Sequence, residues 1–197
     1  MGARSRKIPD PMKVLLLDAF PADSPDRIVV DVALATLEAG GHEVTHRVLD
    51  NGPFEAFMSH DERAAYHDDV PLIAPETIED AAILKSVDAL LFCYPTTLFT
   101  VPAVLKSWLE RVLVPGVAFV FDASGRIKPG MTNIRRLGAI TSNVHGASAT
   151  RRMRDAGRRT TTRTIRLSCH RFCRRLVLPV AAGSPDIAKI KRKLGRW

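Results

Sequence analysis

The chain predicts a three-layer α/β domain built on a parallel sheet, and three observations predict it. Residues 13–18 and 87–94 are short, nearly unbroken apolar runs, the pattern of strands buried on both faces. Helical spacing of apolar residues follows such runs, at 27–39 and 103–112. The alternation then repeats until five strands are counted, which favours a doubly wound sandwich. At 197 residues the chain is one domain in size, large enough to bury a core without disulfides or a metal.

Residues 1–11 are expected to be a flexible basic leader before a single domain over 12–197. Strand one is 13–18. Its exit loop, 19–26, opens a helix over 27–39 with Ile28, Val29, Val32, Ala33 and Leu37 on its apolar side and Ser24 or Asp26 as cap. A loop that opens a helix in this way aims backbone N–H groups and the positive helix end at whatever lies above, which suits phosphate. Neither GxGxxG nor GxxxxGK[ST] occurs here, so dinucleotide and P-loop signatures are excluded. Gly40 and Gly41 end the helix, and 42–49 alternates as strand two.

The 51–75 connection carries Phe54, Phe57, Met58 and Tyr66 and a short helix over 61–67. A connection that long serves function or an interface. A helix over 77–85 precedes strand three, 87–94. Pro102 suits the N1 position of the next helix, whose Val104, Leu105, Trp108, Leu109 and Val112 share a face; Trp108 is expected in the core. Residues 115–121 are apolar but broken by Pro115 and Gly116, and 122–129 reads as a surface turn. Strand four is 136–141, followed by the 142–146 loop. Residues 147–162 are Arg-rich and irregular. Ile165, Cys169, Phe172, Cys173 and Leu176 fall at helical spacing; 176–180 forms strand five, with Pro179 marking a sheet edge. A basic helix over 185–194 closes the chain. Ligands in such folds bind beyond the carboxyl ends of strands where strand order reverses, and the 94–101 loop is a candidate for that place.

Charge is uneven. Residues 1–146 carry 14 basic and 19 acidic groups, net −5, whereas 147–197 carry 15 basic and 2 acidic, net +13, summing to the chain's +8. Such a field steers anions. Nucleic acid is not expected as the main partner, since no zinc-finger spacing, RNP-like strand or helix-turn-helix accompanies it. No apolar run has membrane-spanning length, so membrane insertion is not expected and a cytoplasmic location is. Cys93, Cys169 and Cys173 make no disulfide framework. His170 beside the last two invites a metal reading, but without a fourth ligand buried thiols fit better, and no metal is expected.

The residues Pro95, Pro102-Ala103, Leu105-Lys106, Trp108, Arg111-Val112, Pro115-Gly116 and Ala118-Phe119 form a long motif. It resembles that of the flavodoxin-like NAD(P)H dehydrogenase (quinone) family, which includes azoreductases and the modulator of drug activity. The stretch 61–67 is similar to a segment of one bacterial branch. The resemblance is strong over 87–121, moderate over 13–70 and weak after 146. It implies a flavodoxin-like three-layer sandwich with a five-stranded parallel sheet in order 2-1-3-4-5, FMN as cofactor, NADPH or NADH as electron donor, a small quinone-like acceptor, and a homodimer. By likeness, Phe20, Ser24 and Asp26 stand where the FMN phosphate is held, Pro95, Thr96, Thr97, Leu98 and Phe99 pack on the flavin ring, and Thr141, Ser142, Asn143 and Val144 approach its pyrimidine edge.

The departures are specific. Phe20 replaces a frequent His, Asp23 and Asp26 bring negative charge toward an anion, Asn143-Val144 replaces a Gly pair, and Thr96-Thr97 stand where an aromatic often follows the proline. The implied chemistry is hydride transfer onto the flavin and then two electrons to the acceptor. Backbone N–H groups of 142–144 and the His145 side chain are candidate donors to the flavin, and His145 is also a candidate proton carrier. As bare sequence it reads equally as a surface histidine. Tyr66, and His67 beside it, are candidates to cover the pocket of their own or the opposite subunit, and Tyr94 is a ring contact or the end of a core strand. Arg151, Arg152 and Arg154 are candidates for a nicotinamide cofactor's phosphates. The competing reading is a flavodoxin-like regulatory or interaction subunit with weak or lost flavin binding.

Overall fold

The computed structural model describes residues 10–49, 57–145 and 147–197, apart from the side chains of residues 147, 148 and 151. The expected leader lies mostly outside the described residues, as do Phe54 and the first part of the long excursion.

β1 (Lys13–Asp18) leads through a 3-10 turn to α1 (Ile28–Ala39), and β2 (Glu43–Val48) follows. Then come α2 (His60–Ala65), α3 (Pro75–Ser86), β3 (Ala89–Pro95) and α4 (Ala103–Val112). A hairpin of β4 (Phe119–Phe121) and β5 (Ile127–Pro129) precedes β6 (Arg136–Asn143). The chain closes with α5 (Ala147–Arg152), α6 (Ala156–Arg159), β7 (Arg174–Ala181) and α7 (Ile187–Leu194). The main sheet runs β2-β1-β3-β6-β7, every pair parallel. Leaving the separate hairpin aside, that is the expected 2-1-3-4-5 order.

Strand periodicity explains the three layers, because alternate side chains leave opposite faces. Leu15, Leu17, Leu90, Phe92, Tyr94 and Ala139 point to one face, where α3 and α4 cover them with Leu84, Leu105 and Trp108. Val14, Leu16, Leu91, Cys93 and Ile140 point to the other, beneath α1 and α7 with Val29, Ala33, Ile190 and Leu194. β1 and β3 are therefore apolar at nearly every position. Trp108 lies in the core as expected, its indole N–H donating to Asp80 Oδ2 at 2.8 Å.

Several elements differ from expectation. Pro102 is the N-cap of α4 rather than its first residue. The second half of the expected 122–129 turn is β5: Asp122 Oδ1 accepts from the backbone N–H groups of Ser124 and Arg126, which tightens the bend and pairs Phe121 with Ile127. The helix expected through Cys169 and Phe172 does not form. A π-turn over Thr160–Thr164 and a 3-10 turn over Ile165–Ser168 stand there, because Arg174 must already be extended to pair with Arg136. Cys169 and Cys173 are buried all the same, while Phe172 is exposed under the Arg171 guanidinium. The 147–162 stretch is helical over much of its length rather than irregular. Among the described residues no group of three metal-ligating side chains gathers, and no helix is long and apolar enough to cross a membrane.

Candidate functional site

β1, β3 and β6 are neighbours in the sheet, so parallel pairing brings their three exit loops to one edge. The loops are also bonded to one another. Ala19 donates its N–H to the Cys93 carbonyl at 2.9 Å, and Thr96 donates its N–H to the Ser142 carbonyl at 2.8 Å. The Thr96 hydroxyl lies 3.1 Å from that carbonyl and 3.0 Å from Asn143 Oδ1. Ser142 donates its hydroxyl to Asp26 Oδ2 at 2.5 Å, and Gly183 donates its N–H to Asp26 Oδ1 at 2.8 Å.

In the first loop, Ser24 accepts from the Asp26 N–H and caps the 3-10 turn that leads into α1. Phe20 is fully buried under α1, so its ring points into the core and not toward a ligand. Asp26 is buried and held by two donors, which turns its carboxylate toward β6 and β7. One residue before this loop was missed from sequence, Asp18, which reads there only as the end of an apolar run. Asp18 is fully buried, with Arg27 at 2.9 Å and His46 at 3.3 Å from its Oδ2, and its Oδ1 accepts from the Phe20 N–H. That bond sets the Phe20 backbone as the chain leaves β1.

In the second loop, Thr97 and Thr100 exchange backbone hydrogen bonds at 3.1 and 2.8 Å around Leu98 and Phe99. Both central residues have positive φ, +48° and +59°. Two-residue turns of this kind usually take Gly or Asn, and bulky residues there cost on the order of 1–3 kcal/mol each. Gly157 of α6 supports the turn, donating to the Phe99 carbonyl at 3.2 Å. Leu98 is 91% exposed, whereas Phe99 stacks on His145 with centroids 5.0 Å apart and planes 22° from parallel. Tyr94 is buried, its hydroxyl 3.2 Å from Thr161 Oγ1, and burial holds that hydroxyl far above the ordinary tyrosine pKa. It therefore finishes a core strand instead of contacting a ring. Burial, then the nearby Asp18 carboxylate, likewise pushes the Cys93 thiol well up.

In the third loop, Thr141, Ser142 and Asn143 are buried, and Asn143 donates its Nδ2 to the Thr141 carbonyl and hydroxyl. Their side chains brace the loop, leaving Val144 and His145 exposed. Tyr66 packs on the α3–α4 core and edge-on to His67 at 5.0 Å; no described contact joins it to the three loops. Arg152 and Arg154 are exposed, and the Arg151 side chain lies outside the described residues. Arg154 joins Arg158, Arg159, Arg163 and Arg175 around a separate cleft, a cluster that sequence alone does not bring together.

A family model described as flavodoxin-like fold matches residues 12–191. An FMN-dependent NADH:quinone oxidoreductase of Gluconacetobacter diazotrophicus is 36% identical over 126 residues, 58% of this chain and 61% of that protein. The glutathione-regulated potassium-efflux system ancillary protein KefG of Salmonella paratyphi B is 32% identical over 111 residues, 56% of this chain and 50% of that protein. The chain thus spans less than two thirds of the length of these curated relatives. The NAD(P)H:quinone oxidoreductase structure from Methanothermobacter marburgensis superposes with a TM-score of 0.77 over 94% of this chain and 98% of its own, at 20% identity, a likeness of fold.

Proposed function

Since the chain belongs to the flavodoxin-like fold family, we propose that it is an FMN-dependent NAD(P)H oxidoreductase passing two electrons to a small quinone-like acceptor, as a cytoplasmic homodimer. One observation carries the reading: Thr96, Ser142 and Asp26 lace the exit loops of β1, β3 and β6 together at one sheet edge. The activity printed for the Gluconacetobacter relative points the same way.

The residues present fit FMN in kind. The Ser24 hydroxyl and the loop before the positive end of α1 suit a phosphate. The Ser142 hydroxyl and the Gly183 N–H occupy both Asp26 oxygens, which offsets the negative charge it brings to that loop. With Phe20 buried, its position would give the phosphate no charged side chain. Pro95 to Phe99 and Asn143 to His145 would flank the ring. When bound, FMN supplies a carrier that takes hydride from a nicotinamide and returns two electrons to an acceptor.

The protein's own tasks are positioning and proton handling. Thr96 and Asn143 hold the two flanking loops at a set spacing. The strained Leu98–Phe99 turn is organised in advance, so ligand binding need not order it. His145, exposed and stacked on Phe99, would give a proton to the reduced acceptor. Tyr66 would cover the cleft of its own or the partner copy.

The test is FMN titration of purified protein, anaerobic addition of NADH or NADPH, then a quinone panel. Stoichiometric FMN binding, bleaching of flavin absorbance by a nicotinamide and its return with quinone are expected. Protein that ignores FMN would overturn the reading. It would favour a second one, an ancillary subunit without efficient redox activity, to which the buried Phe20 and the likeness to KefG both lend support.

A further inference from the structure

A cleft of about 560 Å³ lies between the α6 and π-turn segment and the outer strand β7. Arg154, Arg158, Arg159, Arg163 and Arg175 line it, with the hydroxyl-bearing Thr162 and the apolar Val177. Among the described residues no carboxylate lines the cleft and none of these five guanidinium groups forms an ion pair. Elsewhere Arg27, Arg47 and Arg111 each sit on an acidic partner. On its β7 side the cleft is set back from the carboxyl edge of the sheet, while α6 adjoins the Phe99 turn through Gly157. Arg175 and Val177 stand six and four residues before Ala181, the strand's last, which is roughly 13–20 Å back along β7.

The cluster is assembled by one short segment and a strand that returns beside it. Arg154 stands just before α6 with a φ of +57°, Arg158 and Arg159 lie on α6, Arg163 lies on the turn that follows, and Arg175 lies on β7. That turn, Thr160–Thr164, is a π-turn, an uncommon conformation found often at binding sites. Buried Thr161 and Thr162 hold it, their hydroxyls donating back to the carbonyls of Gly157 at 3.0 Å and Arg158 at 2.7 Å. The cluster is of one sign and is built on a braced and unusual backbone; the nearest carboxylate in sequence, Asp155, is buried and caps α6 through the Arg158 N–H, and among the described residues no guanidinium of the cluster pairs with it.

We propose that this cleft binds a small ligand bearing several linked phosphates. Guanidinium forks match phosphate oxygens bidentately, and five of them exceed what a single phosphate can neutralise. The chemistry is shared by a free oligophosphate and by the phosphates of a dinucleotide such as NADPH. Binding here does not require flavin, so it is measured independently of the redox reading.

The test is calorimetric titration of the full chain with tripolyphosphate at an ionic strength of about 0.15 M. Saturable one-to-one binding is expected, weakened roughly a hundredfold in R159Q/R163Q/R175Q, which replaces exposed side chains only. The variant K191Q/R192Q/R196Q removes the same charge from the α7 region and should bind as the parent does. Displacement of tripolyphosphate by NADPH but not by NADH assigns the phosphates to the dinucleotide; displacement by neither assigns them to a separate ligand, and both keep the site. Absence of saturable binding, equal weakening in the two triple variants, or tighter binding of a DNA duplex through the same arginines would overturn it.

Discussion

The N–H of Gly157 donates to the carbonyl of Phe99 at 3.2 Å, tying α6 to the turn whose two central residues both have positive φ. A Cβ at position 157 would lie 2.7 Å from the backbone carbon of Thr100 and 2.8 Å from the Val101 nitrogen. Neither is the end of a flexible side chain, so the turn itself must shift. Gly157→Ala is expected to cost about 1–3 kcal/mol in chemical denaturation and to weaken FMN binding. Wild-type FMN affinity in a destabilised G157A protein would detach the turn from the proposed site.

Thr96 tests the spacing of the flanking loops. Thr96→Val keeps shape but leaves Asn143 Oδ1 without the hydroxyl, a loss of about 1–3 kcal/mol. If the Thr96 to Asn143 link sets the separation of the two ring-facing loops, FMN affinity falls by about tenfold or more. A drop in melting temperature with unchanged FMN affinity would make Thr96 a purely structural residue.

His145 is expected to act on the acceptor. His145→Gln removes a proton carrier and should slow quinone reduction by about a hundredfold, with flavin reduction by the nicotinamide less affected. Stopped-flow measurement of the two half-reactions separates these effects. Equal rates in both would return His145 to the role of an exposed ring resting on Phe99.

Arg111 is buried on α4 and donates to Glu62 at 2.6 Å and Glu76 at 2.7 Å, joining α2 and α3 to the helix after the candidate loop. Arg111→Met strands the Glu62 carboxylate and should cost about 3–5 kcal/mol. Adding Glu62→Gln should recover part of the loss. A double variant as unstable as the sum of the two single ones would show that the pair is not coupled.

Two buried carboxylates set opposite pH trends. Burial alone raises the Glu62 pKa, but the Ser59 N–H and the Arg111 guanidinium outweigh it and hold the group below the usual range. Its stabilisation is present above the unfolded pKa and is lost as pH falls through the folded value. At Asp80 burial wins over the Trp108 and Arg47 contacts, so the pKa is raised and the folded protein binds the extra proton on acidification. Glu62→Gln should therefore flatten the acid limb of stability against pH, and Asp80→Asn should steepen it. Denaturant melts between about pH 3 and pH 6 check both slopes. A steeper limb in E62Q would reverse the assignment.

The sequence by itself determined the layered architecture and the edge at which the three loops of the proposed site meet. Apolar runs at β1 and β3, and the face of α4 with Leu105 and Trp108, reflect burial requirements that leave a local periodic signature. The family motif running from Pro95 to Phe119 named the loop for the same reason, since it is contiguous. Side-chain direction was decided only by the tertiary structure. Phe20, Asp26 and Thr141 occupy loop positions that read as ligand contacts, yet the core, Gly183 and Asn143 claim them, and those partners are distant in sequence or set by backbone turns. The arginine cleft arises likewise, because Arg175 meets Arg159 and Arg163 only when β7 returns beside the π-turn, a juxtaposition that parallel pairing with β6 imposes and no local spacing encodes.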